Sequence, residues 1–209
     1  MPNGYNGKIL HVDLTHGVLE VEQPSEAFYR KYMGGSAMGM YYILKDMPPG
    51  TDALAPDAIL TIMTSVTTGV PISGQSRVNV NAKSPVSGAI GDSQSGGFFP
   101  AELKFSGFDG IVVKGRASRP LYLSILNGEP VLHDARHLVG KLTGEVDAVL
   151  REEVGQPKAE VLQHGPAAEN GVLFSSLLSM ANRNNGRTGM GLVMASKNLR
   201  AIVDRKSVV

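Results

Sequence analysis

Two glycine-rich segments constrain the fold of this chain most strongly, because regular helices and strands rarely use so many small residues in a row. The first covers residues 91–100 and the second covers residues 182–191. Glycine permits positive φ angles and lets a ligand approach the backbone closely, while Ser and Gln add hydrogen-bonding groups. Both segments are therefore predicted to be loops. The first is interpreted as a cradle for a phosphorylated ligand or, alternatively, as a surface turn.

The second segment adds two positive charges, Arg183 and Arg187. A guanidinium group can bind two phosphate oxygens at once, and a glycine-rich turn ahead of the helix predicted at 192–197 offers backbone N–H donors. The two segments together favour one anionic ligand that is held from two sides. The alternative is a helix C-cap followed by a solvated turn.

Composition narrows the class of protein. The 209 residues are 42% hydrophobic and 19% charged, which suits one large globular domain or two small ones. A net charge of +1 and the absence of Trp argue against a nucleic-acid partner. No apolar run reaches the ~18 residues of a membrane span, so we expect a cytoplasmic protein without a membrane partner. The sequence has no Cys, which excludes an iron–sulfur cluster held by this chain.

The hydrophobic pattern predicts more strands than helices, without regular alternation of the two. Predicted strands cover residues 7–14, 18–21, 58–63, 77–81, 110–114, 121–126, 131–132 and 160–163. Predicted helices cover residues 25–33, 37–45, 101–105, 143–154, 173–180 and 192–197. Hairpin turns are expected at residues 15–17 and at Asn127-Gly128. The predicted class is α+β with β dominant.

One predicted strand carries a row of polar side chains. On the strand at 77–81, Val78 and Val80 are expected to face the core. Arg77, Asn79 and Asn81 then share the opposite face, which meets either a ligand or water.

Standard nucleotide motifs are absent. The chain has no P-loop sequence, and its Gly-x-Gly at residues 189–191 follows a predicted helix rather than the strand that a dinucleotide fingerprint requires. Asp92, Glu102 and Asp109 lie near the first segment, but their spacing defines no acid–base pair. We expect them to cap, solvate or orient that segment, and no catalytic residue is assigned.

Several short motifs nevertheless occur in the order typical of one family. They are Gly4-Tyr5-Asn6-Gly7-Lys8, Pro85-Val86-Ser87-Gly88, residues 91–99, Gly165-Pro166-Ala167-Ala168-Glu169-Asn170 and Ser196-Lys197-Asn198-Leu199-Arg200. Together they resemble the N-terminal domain of aldehyde:ferredoxin oxidoreductases, from about residue 4 to residue 203. The resemblance implies two antiparallel or mixed β-sheets with a few short helices. These form the base for a tungsten (or molybdenum) bis-pterin cofactor, a molybdopterin, whose two phosphates are bridged by Mg²⁺.

The resemblance also implies which residues bind that cofactor. The implied residues are Arg77, Gln94, Ser95, Gly96, Gly97, Arg183, Asn184, Gly186 and Arg187. Main-chain carbonyls of Gln94 and Asn184 would contact the magnesium, which accepts oxygen ligands together with phosphate. Family members usually carry Asn where Gln94 stands and Ala where Asn184 stands, and a main-chain contact tolerates both differences.

For the whole enzyme, the resemblance implies oxidation of an aldehyde to a carboxylic acid. Electrons would pass through the pterin to a 4Fe-4S cluster and then to ferredoxin. Because this chain has no Cys, the cluster ligands would lie outside it, in the helical domains that follow in the family. Residues 1–203 are thus expected to be the first domain of a longer enzyme, inactive alone, whose relatives form homodimers or heteromeric complexes. Residues 204–209 are expected to be a non-native or truncated tail.

Two other functions remain open at this point. One is a free-standing module that binds a phosphorylated small molecule. The other is a structural or interface domain without a ligand.

Overall fold

The computed structural model describes residues 4–206, and within them two mixed six-stranded β-sheets are combined with six short α-helices. The α+β class expected from the sequence is confirmed. Within this range no helix has both the length and the hydrophobicity needed to cross a membrane.

The first sheet is formed by the N-terminal half of the chain. Its strands are β1 (Ile9–Asp13), β2 (Val18–Glu22), β3 (Leu60–Thr64), β4 (Val78–Lys83), β5 (Ile90–Ser95) and β6 (Gly110–Lys114). They lie in the order β2-β1-β6-β3-β4-β5. Neighbours are antiparallel except β1 and β6, which are parallel. The β5 strand is therefore one edge of this sheet.

The second sheet is formed by the C-terminal half. Its strands are β7 (Leu121–Leu126), β8 (Glu129–Asp134), β9 (Glu160–Gln163), β10 (Leu177–Ser179), β11 (Arg183–Asn185) and β12 (Leu199–Arg205). They lie in the order β11-β10-β9-β12-β7-β8, with β7 and β12 parallel. The predicted hairpin at Asn127-Gly128 joins β7 to β8, and both of its residues have positive φ, as a tight hairpin turn requires.

The helices cover both sheets and fill part of the space between them. They are α1 (Glu26–Tyr32), α2 (Gly35–Asp46), α3 (Phe99–Phe105), α4 (Thr143–Glu153), α5 (Pro166–Glu169) and α6 (Met190–Ser196). The main core lies between the facing sides of the sheets and includes Phe99 and Leu103 of α3 and Val193 of α6. Helices α1 and α2 pack on the outer face of the first sheet, and α4 packs on the outer face of the second.

The polar row predicted on β4 does not face ligand or water along its length. Asn79 and Asn81 are buried beneath α2. This close packing depends on two helix glycines: a Cβ on Gly39 would lie 2.6 Å from Asn81 Oδ1, and a Cβ on Gly35 would lie 3.0 Å from Asn79 Oδ1. Only Arg77, which precedes the strand, is exposed as expected.

The two glycine-rich segments are not wholly loops, because each contains an edge strand. In β5, buried Gly91, Ser93 and Ser95 alternate with exposed residues. Their small size is a packing requirement, since a Cβ on Gly91 would lie 2.8 Å from Thr188 Cβ in the second segment. The helix predicted at 173–180 is also wrong: this stretch contains β10, followed by positive φ angles at residues 180 and 181 that turn the chain into β11.

The β12 strand continues two residues beyond the domain boundary predicted at 203. Asp204 pairs with Glu160 and Ile125, and the Arg205 guanidinium lies 2.6 Å from Glu102 Oε1. Residues 207–209 of the predicted tail lie outside the described residues.

Candidate functional site

One edge strand of each sheet, β5 in the first and β11 in the second, contact each other. A cleft of about 460 Å³ lies at this junction. The described residues that line it are Asp92, Ser93, Gln94, Asn184, Gly186 and Arg187. Four of the predicted cofactor residues thus lie around one cavity: Gln94 from the first segment, and Asn184, Gly186 and Arg187 from the second.

A buried polar contact holds the two edges together beneath the cleft. The Ser95 hydroxyl donates to Asn185 Oδ1 at 2.9 Å, and Asn185 Nδ2 donates to the Ser93 carbonyl at 2.8 Å. Asn185 is fully buried, and Ser95 is nearly so. The Ser95 side chain therefore joins the two sheets rather than facing the cleft, although the preceding residue, Gln94, does line it.

At the end of β5, Gly97 allows the second segment to approach closely. Its φ is +104°, and a Cβ there would lie 2.8 Å from Met180 Sδ and 3.0 Å from Arg183 Cγ. The Ser76 hydroxyl donates to the Gly97 carbonyl at 2.7 Å. Because Val78 pairs with Ser95, the adjacent Arg77 is placed beside Gly96 at this same end. Arg77, Gly96, Gly97 and Arg183 therefore cluster next to the cleft without lining it.

Three arginines at this junction have no carboxylate partner among the described residues. In the described part of the chain, the arginines that form ion pairs with acidic residues are Arg30, Arg119, Arg136, Arg151, Arg200 and Arg205. The remaining exposed arginines near the cleft are Arg77, Arg183 and Arg187. Guanidinium groups that pair with no carboxylate can bind phosphate oxygens and attract anions to the site.

The sequence interpretation missed Asp92 and Ser93 as lining residues of the cleft. The alternating pattern of residues 91–95 could have revealed them, because it is typical of a strand. In β5, Asp92 and Gln94 share the exposed face while Ser93 and Ser95 share the buried face. Asp92 was instead expected to cap, solvate or orient a loop.

Several family motifs serve the fold rather than the cleft. Lys104 Nζ lies 2.5 Å from Asp109 Oδ1 in the interior, where burial lowers the pKa of Lys104 although Asp109 opposes this shift. Asp109 also accepts hydrogen bonds from the backbone N–H groups of Asn6 and Gly7. Buried Lys197 donates to three main-chain carbonyls, those of residues 56, 58 and 115.

The donors around the cleft fit a hydrated magnesium ion better than a tightly held transition metal. Within residues 4–206, no three His, Cys, Asp or Glu residues are grouped so that they could hold a metal. The cleft instead offers oxygens from Gln94 and Asn184 with a single carboxylate, Asp92. Mg²⁺ commonly binds to one or two carboxylates, retains waters and takes further ligands from phosphates.

A family model described as "Aldehyde ferredoxin oxidoreductase, N-terminal domain" matches residues 9–206. The chain belongs to the aldehyde ferredoxin oxidoreductase family. The resemblance drawn from short motifs is therefore confirmed over almost the whole chain.

Similar proteins from this family are much longer than this chain. The tungsten-containing aldehyde ferredoxin oxidoreductase of Pyrococcus abyssi is 42% identical over 202 residues, which cover 97% of this chain and 33% of the relative. The enzyme of the same name from Pyrococcus furiosus is 41% identical over 196 residues, which cover 94% of this chain and 32% of the relative. The WOR-like subunit of an aliphatic sulfonate oxidoreductase from Pyrococcus furiosus is 32% identical, and the match covers 97% of this chain and 35% of the relative. The chain thus spans about a third of the length of these relatives.

A solved structure shares the fold closely. It is the active site complex BamBC of benzoyl coenzyme A reductase in complex with 1,5-dienoyl-CoA. Its TM-score with this chain is 0.95 at 32% sequence identity, covering 98% of this chain and 31% of the other. The two-sheet architecture of this aldehyde ferredoxin oxidoreductase domain is therefore shared with a benzoyl coenzyme A reductase complex.

Proposed function

We propose that this domain binds the phosphates of a tungsten bis-pterin cofactor at the junction of β5 and β11. It does so as part of an enzyme that oxidises aldehydes to carboxylic acids and passes the electrons to ferredoxin. The observation that carries the proposal is the cleft between the two segments, with three arginines at or beside it that pair with no carboxylate among residues 4–206. Relatives named as tungsten-containing aldehyde ferredoxin oxidoreductases support the choice of cofactor and reaction.

Each part of the junction has a role in this proposal. The negative charge of the phosphates is the main electrostatic obstacle to placing a doubly phosphorylated ligand on a protein surface. The guanidinium groups of Arg77, Arg183 and Arg187 neutralise that charge. Gly96, Gly97 and Gly186 allow the backbone to approach the phosphates. Gln94 and Asn184 would supply oxygens to a Mg²⁺ ion.

The domain contributes position and charge neutralisation to the reaction. When bound, the tungsten pterin supplies the two-electron redox chemistry. No residue of the cleft is assigned as a catalytic acid or base. A 4Fe-4S cluster would need ligands from outside this chain, which has no Cys.

The whole enzyme would work in the cytoplasm, with further helical domains of the same protein packed on this one. Homodimeric or heteromeric assembly is part of the proposal. It is supported by relatives named as a WOR-like subunit and as the BamBC complex.

Titration with inorganic pyrophosphate tests the phosphate site directly. We expect the chain to bind pyrophosphate in isothermal titration calorimetry and Arg187→Gln to weaken binding by about tenfold or more, since a charge-assisted hydrogen bond contributes about 1.5–3 kcal/mol. Arg30→Gln is the matched control, because Arg30 is also exposed but pairs with Glu26 on α1. Absence of binding by the unmodified chain, or equal affinities for the two variants, would refute the site.

A further inference from the structure

Asp92 is the one acidic side chain among the six described residues that line the cleft. Its Oδ2 accepts a hydrogen bond from Ser36 Oγ at 2.7 Å, and its Oδ1 accepts one from Asn79 Nδ2 at 3.1 Å. Asn79 Nδ2 also donates to Ser36 Oγ at 2.7 Å. Ser36 belongs to α2 and Asn79 to β4, so two elements of the fold fix the orientation of this carboxylate.

These two hydrogen bonds leave part of the carboxylate available. An ionised carboxylate has about four lone-pair sites, and two are used here. Asp92 is exposed and lies on the same face of β5 as Gln94. The Asp92 carboxylate can therefore contact a ligand in the cleft without giving up its anchoring bonds.

The charge of Asp92 is unfavourable for a phosphate taken alone. A carboxylate and a phosphate a few ångströms apart repel each other unless a cation lies between them. Within the described residues Arg187 does not neutralise Asp92, because it forms no ion pair. A divalent cation removes this conflict, and Mg²⁺ favours a carboxylate, amide or main-chain oxygens, phosphate oxygens and water.

We propose that Asp92 holds the divalent cation in this cleft and thereby makes phosphate binding dependent on that cation. The inference rests on the proposed phosphate site and adds a residue to it. Ser36 and Asn79 act as positioning residues, since they orient the carboxylate and do not themselves line the cleft.

The test compares pyrophosphate binding by calorimetry in excess Mg²⁺ and in excess EDTA. For the unmodified chain, Mg²⁺ is expected to tighten binding by about tenfold or more. Asp92→Asn keeps hydrogen-bonding groups beside Ser36 and Asn79 but removes the charge, so the Mg²⁺ effect should fall to about twofold or less while affinity in EDTA stays equal or improves. Asp92→Glu restores the charge and should recover most of the Mg²⁺ effect. Glu129→Gln, an equal charge change on β8 at the far edge of the second sheet, should behave like the unmodified chain.

The outcomes separate the two proposals. Suppose that the chain binds pyrophosphate in EDTA and that Arg187→Gln weakens this binding, but that Mg²⁺ does not strengthen it. This result overturns the role of Asp92 and leaves the phosphate site standing. An Asp92→Asn variant with an unchanged Mg²⁺ effect does the same. Absence of pyrophosphate binding in both conditions overturns the phosphate site and the cation site together. If Asp92→Asn fails to fold, Ser36→Ala provides the second test: it leaves the charge in place but frees the carboxylate, and it should reduce the Mg²⁺ effect several-fold.

Discussion

Replacement of Gly97 by Ala tests whether the two segments form one site. Gly97 has φ +104°, and its missing Cβ leaves room for Met180 and Arg183. Gly107 provides a matched control because its φ is +101° and nothing lies within 4 Å of its Cβ position. Both Gly→Ala changes should cost about 1–2 kcal/mol of unfolding free energy through backbone strain.

Only Gly97→Ala has a further cost from crowding. Its Cβ would lie 2.8 Å from Met180 Sδ and 3.0 Å from Arg183 Cγ, and both side chains can shift. The extra destabilisation should therefore be about 1 kcal/mol, at the low end for overpacking. Displacing Arg183 should also weaken pyrophosphate binding, whereas Gly107→Ala should leave it unchanged. Urea denaturation gives the free energies and calorimetry the affinities. Equal stability and equal affinity in the two variants would refute the proposed coupling between the segments.

Three further predictions concern groups buried around the site and the core. Ser95→Ala leaves Asn185 Oδ1 without the Ser95 hydroxyl as its donor, and the free energy of unfolding in urea should fall by about 1–3 kcal/mol. Pyrophosphate binding should also become weaker. Unchanged stability would show that this contact does not join the sheets. Burial raises the pKa of Glu160 from 4.5 to about 6; neighbouring acids add to this shift and Arg151 opposes it. The folded state therefore holds the Glu160 proton more tightly than the unfolded state does. The stability that this proton contributes is lost as the pH rises through 6. Glu160→Gln should therefore be about 2 kcal/mol more stable than the unmodified chain at neutral pH and nearly equal to it below pH 4.5, and a gain independent of pH would contradict this reasoning. Lys197→Met removes the donor that the main-chain carbonyls of residues 56, 58 and 115 share, although the carbonyl of residue 56 still accepts from the Gly115 N–H. The change should cost about 2–4 kcal/mol in thermal unfolding, and a stability close to that of the unmodified chain would contradict the role of the buried ammonium.

Sequence patterns predicted most of the elements whose local signals agree with their packing. The turn at Asn127-Gly128 and the apolar strands around it follow from residue type and alternation alone. The two helices predicted at residues 25–33 and 37–45 also correspond to α1 and α2, because the apolar spacing in each stretch is helical. In these stretches local propensity and tertiary contacts favour the same structure.

The misplaced elements are those in which tertiary contacts override local propensity. Gly91, Ser93 and Ser95 have low β propensity, but they form a strand because the second segment packs where larger side chains would clash. Asn79 and Asn81 were predicted to meet a ligand or water, yet the glycines of α2 allow a helix to cover them. Sequence alone could not reveal this, since the covering residues lie about 40 positions away.

The candidate site was predicted in part. The pairing of the two glycine-rich segments around one cleft followed from their similar chemistry and from the family resemblance. Asp92 was not assigned to the cleft, because its anchor Ser36 is 56 residues away and the strand that orients both was interpreted as a loop.

Tungsten content is the most direct measure of whether this junction binds the cofactor. It should be measured by elemental analysis of a full-length enzyme that contains this domain, purified with Arg77→Ala, with Arg183→Ala, and with Arg30→Ala as the control. We expect lower tungsten per protein in the first two variants and normal content in the third, because only the first two lose charges next to the cleft. Normal tungsten content in both the Arg77 and the Arg183 variant would contradict the assignment of this junction as the cofactor-binding site.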